Sequence, residues 1–160
     1  MVTQPILQMT LTTSSPEETR GVAECLGRLC RGGEILLLIG DLGSGKTCFV
    51  QGLARGLDVA PGIRVTSPTF TIHAEYPGRL ILNHLDLYRL DDPVSQDGLG
   101  IAEMLGQPGG VAAVEWPEML ADPVAGDRLE IRLEDTGEGR RRLDIAAFGP
   151  THARLIEEAE

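Results

Sequence analysis

The first patterned segment of the chain has the hydrophobic period of an amphipathic helix. Apolar residues within positions 22–29 recur at intervals of three and four, which places them on one helical face. The preceding Ser15-Pro16-Glu17-Glu18 has the residue types of a helix start, with serine at the N-cap and Glu18 placed to complete a capping box. We therefore predict a helix from Ser15 towards Arg31, ended by Gly32-Gly33.

An unbroken apolar run at positions 35–39 comes next and is too short for a helix with its own caps. Such a run is typical of a strand buried on both faces of a sheet. A glycine-rich segment follows at positions 40–47, and apolar residues then recur at helical spacing through positions 49–57. The order is strand, glycine-rich loop and helix, as in a P-loop.

The second half of the chain reads mainly as strands. Alternating residues at 70–76 and an apolar run at 80–85 predict two antiparallel strands. A helical stretch around 101–105, a small strand at 111–114 and a closing hairpin at 129–145 follow. Together these elements predict an α/β, P-loop NTPase-like fold, with a mixed, mainly parallel sheet that carries an antiparallel hairpin and is flanked by helices. We expect one domain over residues 1–160, with its core at about 14–148 and a short exposed helical tail at 150–160.

Composition narrows the classes of partner. The formal net charge of -10 opposes broad electrostatic association with nucleic acid or anionic lipid. The three cysteines form no CxxC pair, which favours reduced thiols, and no apolar run reaches the roughly 18 residues of a membrane span. We expect a cytoplasmic protein without a membrane role. Lys46 is the only lysine in a chain otherwise rich in arginine, which indicates that a compact ammonium is needed there.

The pattern Gly40-x4-Gly45-Lys46-Thr47 fits the Walker A motif. Its glycines let backbone N–H groups surround phosphate oxygens, and the following helix presents its positive N-terminus. Lys46 is expected to reach the β- and γ-phosphates of ATP, and the Thr47 hydroxyl to ligate Mg²⁺. The predicted nucleotide-binding residues are Asp41, Leu42, Gly43, Ser44, Gly45, Lys46, Thr47 and Cys48.

A P-loop also needs a carboxylate on a neighbouring strand to help hold Mg²⁺. Asp86 and Glu115 each end an apolar run, where the carboxyl end of a strand faces the nucleotide crevice. One could coordinate the metal while the other orients the attacking water, and their spacing does not assign the two roles. Each could instead be a solvated acid at a strand end.

Other polar segments carry weaker signals. Thr66, Ser67 and Thr69 flank a proline where switch loops that sense a γ-phosphate often lie, although an ordinary turn has the same residues. Trp116 could wall the site or belong to the core. The three histidines share no metal-ligand spacing and receive no role. Residues 140–142 (Arg-Arg-Arg) read as a solvated sheet edge, with contact to RNA or an acidic partner as the alternative.

Four motifs together resemble the TsaE (YjeE) family of bacterial ATPases. They are residues 40–47 (GDLGSGKT), 66–70 (TSPTF), 84–90 (HLDLYRL) and 114–118 (VEWPE), and the resemblance covers roughly residues 14–148. It implies an accessory ATPase in the threonylcarbamoyladenosine modification of tRNA, slow alone and acting on a TsaD–TsaB complex. Any contact with tRNA would then be indirect or local.

The resemblance also implies roles for single residues. Lys46 and Thr47 match the phosphate and magnesium residues, Glu115 matches the acid near the metal, and Asp86 matches the acid required for hydrolysis. Residues 66–69 match a switch loop. Cys48 stands where a second threonine is common, which leaves a backbone phosphate cradle unaffected.

Two other functions fit a P-loop. A small-molecule kinase would need a lid with basic residues, whereas the acidic stretch at 91–100 carries none. A GTPase is disfavoured because a guanine-reading Asn-Lys-x-Asp needs a second lysine. A module that senses ATP without hydrolysing it is the remaining alternative, and Asp86 and Glu115 argue against it.

Overall fold

The chain forms one seven-stranded mixed sheet with helices packed against it. The computed structural model describes residues 4–68 and 70–160. The strand order is β1-β7-β6-β2-β5-β4-β3. The strands are β1 (Leu7–Thr13), β2 (Ile35–Ile39), β3 (His73–Tyr76), β4 (Ile81–Asp86), β5 (Gly110–Glu115), β6 (Arg128–Gly137) and β7 (Arg140–Phe148).

The centre of the sheet is parallel and both ends are antiparallel. β2 pairs in parallel with β5 and β6, and β5 pairs in parallel with β4. β3 runs antiparallel to β4, whereas β7 lies between β6 and β1 and is antiparallel to both. The predicted α/β fold with a mixed sheet is confirmed. The sequence reading missed β1, so the antiparallel part extends one strand beyond the expected hairpin.

The helices are α1 (Pro16–Leu29), α2 (Lys46–Gly56), α3 (Ile101–Met104) and α4 (Pro150–Ala159). Ser15 is the N-cap of α1 as predicted, because its hydroxyl accepts a hydrogen bond from the Glu18 N–H at 3.1 Å. The Glu18 carboxylate closes the turn on the N–H of Ser14 rather than that of Ser15. Among the described residues, no helix is long and apolar enough to cross a membrane.

Two apolar clusters lie on opposite faces of the sheet. The larger one joins α1, α2 and α4 to side chains such as Leu36, Leu38 and Ala113. The smaller one lies on the other face, where α3 and the connecting loops cover Leu37, Leu85 and neighbouring residues. The even-numbered residues of β2, Leu36 and Leu38, therefore face α1, α2 and α4, whereas Leu37 faces α3.

Two sequence expectations differ from the structure. The tail at 150–160 is helical but not exposed, because α4 buries His152, Ala153, Leu155 and Ile156 against the sheet. β7 is an interior strand, so residues 140–142 do not form a sheet edge. Of the cysteines, Cys25 is exposed, whereas Cys30 is buried and burial raises the pKa of its thiol to about 12.

Candidate functional site

The predicted site residues meet where the parallel strands end. The glycine-rich loop leaves the carboxyl end of β2, Asp86 is the last residue of β4, and Glu115 is the last residue of β5. The β4–β5 register pairs Asp86 with Glu115, so the two acids are neighbours on the sheet. Ligands of open α/β sheets bind in the crevice at this edge.

The loop from Gly40 to Gly45 requires glycine at particular positions. Gly43 and Gly45 have φ values of 78° and 108°, which residues with a side chain rarely adopt. A Cβ at Gly40 would come within 2.5 Å of the Leu133 carbonyl oxygen and the Ser44 hydroxyl. Ser44 itself is buried, and its N–H donates to the Asp41 carbonyl at 3.1 Å. The backbone of this loop is therefore compact, as a phosphate cradle requires.

Arg141 fixes the outer side of this loop, and the sequence reading missed it. Its guanidinium donates to the carbonyl oxygens of Ser44 at 3.0 Å and Gly43 at 3.2 Å, and it pairs with Asp135 at 3.1 Å. Carbonyls held outward leave the loop's N–H groups free to point inward. The position of β7 beside β6 brings Arg141 here, and no local sequence pattern encodes that contact.

Lys46 is held by the loop and by an aromatic ring. Its ammonium donates to the carbonyl oxygens of Gly40 and Asp41 and lies 4.3 Å from the centre of the Trp116 ring. Burial lowers the pKa of Lys46, and the negative charges of Glu115 and Asp86 partly offset that effect. The side chain is thus a desolvated cation facing two carboxylates.

Thr47, Ser67 and Glu115 are in contact. The Thr47 hydroxyl lies 2.6 Å from the Ser67 hydroxyl and 3.3 and 3.4 Å from the two Glu115 carboxylate oxygens. This geometry brings the predicted switch-loop serine, the predicted metal-ligating threonine and the buried acid of β5 to one point. Oxygen atoms of these types are the ligands that Mg²⁺ takes.

Asp86 is half buried next to this cluster. Burial raises its pKa, the N–H of Tyr88 opposes that rise by donating to the carboxylate at 3.0 Å, and the charge of Glu115 adds to it. Two neighbouring carboxylates repel one another, so a cation between them would be favoured.

The cleft at this edge has a volume of about 260 Å³. Trp116 forms one wall, half buried, and its ring lies 4.9 Å from that of Tyr88. Most predicted site residues line it, namely Leu42, Gly43, Gly45, Lys46, Thr47, Cys48, Ser67, Asp86, Glu115 and Trp116. The Asp41 and Ser44 side chains do not, although their backbone is part of the loop. Thr66 is exposed and away from the cleft, and Thr69 lies outside the described residues.

His84 is a second residue that the sequence reading missed. It is fully buried on β4, two residues before Asp86, and its Nε2 lies 2.6 Å from Oε2 of Glu115. The sequence did contain a signal. Residues two apart on a strand point to the same face of the sheet, so His84 points to the same face as Asp86. Spacing between histidines could not reveal it.

The protein atoms suit a nucleotide-bound metal better than a metal held by protein alone. Within residues 4–68 and 70–160, no group of three or more histidine, cysteine, aspartate or glutamate side chains could hold an ion. Mg²⁺ commonly uses one or two protein oxygens together with phosphate oxygens. The Thr47 hydroxyl and the Glu115 carboxylate fit that arrangement.

Known proteins of one family are similar to this chain along most of its length. A family model described as "Threonylcarbamoyl adenosine biosynthesis protein TsaE" matches residues 13–143. Proteins named "tRNA threonylcarbamoyladenosine biosynthesis protein TsaE" are 39% identical in Bacillus subtilis, covering 94% of this chain and 93% of the relative. In Treponema pallidum the identity is 37%, covering 86% and 100%.

A solved structure has the same fold. The crystal structure of YdiB from Bacillus subtilis superposes with a TM-score of 0.79 at 36% sequence identity, covering 98% of this chain and 97% of YdiB. The family match includes the glycine-rich loop, both strand-end acids and Arg141. The chain therefore belongs to the TsaE family.

Proposed function

We propose that this protein binds Mg-ATP in the cleft and hydrolyses it. The observation that carries the proposal is the meeting of Lys46, Thr47, Glu115 and Asp86 at one edge of the sheet. A desolvated lysine, a hydroxyl and two carboxylates beside a glycine-rich loop are the groups that phosphoryl transfer to water requires.

The contacts suggest how the work divides among the residues. Thr47 and Glu115 touch, so they are the pair that would hold Mg²⁺, which supplies neutralisation of phosphate charge when bound. Asp86 lies next to Glu115 on the sheet, whereas the Thr47 hydroxyl contacts Ser67 and Glu115, so Asp86 is suited to orient the attacking water. Lys46 would exchange its carbonyl contacts for the β- and γ-phosphate oxygens.

We further propose that this ATPase is an accessory protein in the threonylcarbamoyladenosine modification of tRNA. The names of its relatives support that process. Its partner would be a TsaD–TsaB-like complex. ATP hydrolysis would be slow in the protein alone and faster in the presence of this complex. Because the chain has a net charge of -10, it would meet tRNA through the partner or a local contact.

The test is ATP hydrolysis by the purified wild type, Lys46→Ala and Asp86→Asn, each alone and with a TsaD–TsaB pair and tRNA. We expect slow hydrolysis that rises with the partners, and a loss of about 100-fold in Asp86→Asn, because general acid–base groups contribute at least that much. Asp92→Asn, at an exposed loop position, is the matched control and should keep wild-type activity.

Each contrary result removes one part of the proposal. Hydrolysis that survives Lys46→Ala would rule out this cleft as the ATPase site. Binding of ATP without turnover in any mixture would favour a nucleotide sensor. Turnover that the partner pair does not change would leave an ATPase but remove the accessory role.

A further inference from the structure

His84 makes one polar contact from a completely buried position. Its Nε2 lies 2.6 Å from Oε2 of Glu115, and neither side chain is more than 3% exposed. Within the part of the chain that the structure describes, Nδ1 of His84 is buried and has no hydrogen-bond partner. The imidazole is therefore directed at the Glu115 carboxylate and at no other polar group.

The direction of this hydrogen bond follows from the chemistry of the two groups. An ionised carboxylate can only accept, so Nε2 must carry the proton and donate it. Nδ1 has no hydrogen-bond partner among the described residues, so the contact with Glu115 is the polar interaction that fixes the ring. Such a donor orients the Glu115 carboxylate.

The sheet holds the imidazole firmly in place. His84 lies in the middle of β4 and pairs in register with Ala113, whose small side chain lies beside the ring, while Asp86 pairs with Glu115. Because His84 and Asp86 share a face of β4, the imidazole lies on the same face as the two acids, two residues before them along the strands. A group built into an interior strand such as β4 positions its neighbour more precisely than a loop residue does.

The consequence concerns the two oxygens of Glu115. His84 holds Oε2, and the carboxylate then presents its edge to the Thr47 hydroxyl, with the two oxygens 3.3 and 3.4 Å away. A freely rotating carboxylate would lose this orientation. Groups that hydrogen bond to metal-ligating carboxylates typically affect metal affinity by about 10- to 100-fold.

We propose that His84 is a positioning residue that fixes the Glu115 carboxylate for the nucleotide-bound metal. The inference rests on the proposed Mg-ATP site and assigns His84 a role within it. The ring acts only through Glu115 and contacts neither nucleotide nor metal.

The first test uses nucleotide affinity, so that hydrolysis plays no part. The protein is titrated with the fluorescent analogue mant-AMPPNP, which has a non-hydrolysable β–γ bond, once in the presence of EDTA and once in the presence of Mn²⁺. In the wild type Mn²⁺ should tighten binding. In His84→Met, which fills similar space without a donor, that tightening should fall by about tenfold, while affinity in EDTA stays within about twofold. His84→Gln, which can donate from a similar position, should recover part of it.

The control is the other histidine that bonds within the β3–β4 region. Nε2 of His73 lies 3.0 Å from Oδ1 of Asn83, so its hydrogen bond is made to Asn83 and not to Glu115. His73→Met should therefore keep the full response to Mn²⁺. A double-mutant cycle adds specificity: in a Glu115→Gln background, replacement of His84 should change the response by less than about twofold, because the partner is gone. An equal effect in both backgrounds would mean that His84 does not act through Glu115.

A second measurement needs no variant and holds even where His84→Met fails to fold. Nitrogen NMR of the wild type should find a proton on Nε2 of His84. A ring protonated only at Nδ1 could not donate to Glu115 and would overturn the proposal. An unchanged Mn²⁺ response in folded His84 variants would overturn it as well. If Mn²⁺ does not tighten binding even in the wild type, the proposed metal site fails together with this inference.

Discussion

Trp116 has an unusual backbone for a large residue. Its φ of 60° and ψ of 51° lie in the left-handed region, which costs a bulky residue about 1–2 kcal/mol. The conformation turns the ring onto the Lys46 ammonium, and Tyr88 packs against the ring. The Lys46 charge therefore lies against the face of the indole ring.

The chain's only tryptophan should therefore report on Lys46. Without nucleotide, Lys46→Met should change the tryptophan emission, because it removes a cation that lies 4.3 Å from the ring centre. Mg-ATP should change the emission of the wild type in a saturable way, as the ammonium moves to phosphate. The measurement is steady-state fluorescence during titration. Arg89→Met serves as the control, since Arg89 lies over Phe70 instead. Identical spectra for Lys46→Met and wild type would contradict the assigned contact.

At the scale of elements, α1 and α2 cross unusually closely. A Cβ at Gly52 would approach the Arg20 carbonyl oxygen to 2.2 Å, and one at Gly56 would approach the Glu24 carbonyl oxygen to 2.3 Å. The obstructing atoms belong to the backbone of the other helix, so rotating a side chain cannot relieve the clash. These glycines set the distance between the P-loop helix and α1, and with it the position of Lys46 at the start of α2.

Gly52→Ala should therefore destabilise the protein despite the better helix propensity of alanine. Overpacking costs about 1–3 kcal/mol, which exceeds the roughly 1 kcal/mol that alanine gains in a helix. Gly21→Ala, in α1, is the matched control, because nothing lies within 4 Å of its added Cβ. It should stabilise the protein by about 0.5–1 kcal/mol. Urea unfolding measures both, and a Gly52→Ala protein that is stabilised as much as Gly21→Ala would mean that α1 and α2 can move apart without cost.

Across the whole molecule, local sequence patterns predicted most of the fold and part of the candidate site. The Ser15 cap, the buried run of β2 and the glycine-rich loop are encoded by neighbouring residues, so they could be read directly. β1 was missed, although Leu7, Met9 and Leu11 alternate with polar residues in the pattern of a half-buried strand. Its place in the sheet depends on pairing with β7 at the opposite end of the chain. α4 was recognised as a helix but not as a core element, since the sheet face it covers comes from distant strands.

The site divides in the same way. Lys46 and Thr47 belong to a local motif, and Asp86 and Glu115 were found because each ends a strand. Arg141 and His84 depend on strand register, which no local pattern fixes. Contacts between residues far apart in sequence therefore place Arg141 against the glycine-rich loop and His84 against Glu115, and these contacts became visible only in three dimensions.

One polar network joins the C-terminal helix to the central sheet. The Asp127 carboxylate, just before β6, accepts hydrogen bonds from the N–H groups of Thr151 and His152 at the start of α4, and from the His152 ring. The other ring nitrogen of His152 accepts from the N–H of Ile35 in β2 at 2.9 Å. Three parts of the chain far apart in sequence meet at this histidine.

Asp127 should consequently make stability depend on pH in the acid range. Partial burial raises its pKa, but the hydrogen bonds from His152 and Thr151 outweigh this and leave the pKa below its ordinary value of 3.8. A carboxyl with a lowered folded-state pKa stabilises the fold above its unfolded pKa, and this contribution disappears as the pH falls through the folded value. Asp127→Ala should therefore cost about 1–3 kcal/mol at pH 7, typical of hydrogen bonds to a charged group.

Urea unfolding at a series of pH values measures the difference between wild type and Asp127→Ala. That difference should persist while the pH stays above the ordinary aspartate pKa of 3.8 and shrink as the pH falls below it, since protonation removes the charge that the helix start and His152 bind. Asp92→Ala, at an exposed position, should show little difference at any pH. A penalty for Asp127→Ala that stays constant into strong acid would mean that Asp127 acts through packing rather than through its charge. The apolar face of α4 packs against the sheet. Such a result would therefore mean that this apolar face, and not Asp127, holds the C-terminal helix in place.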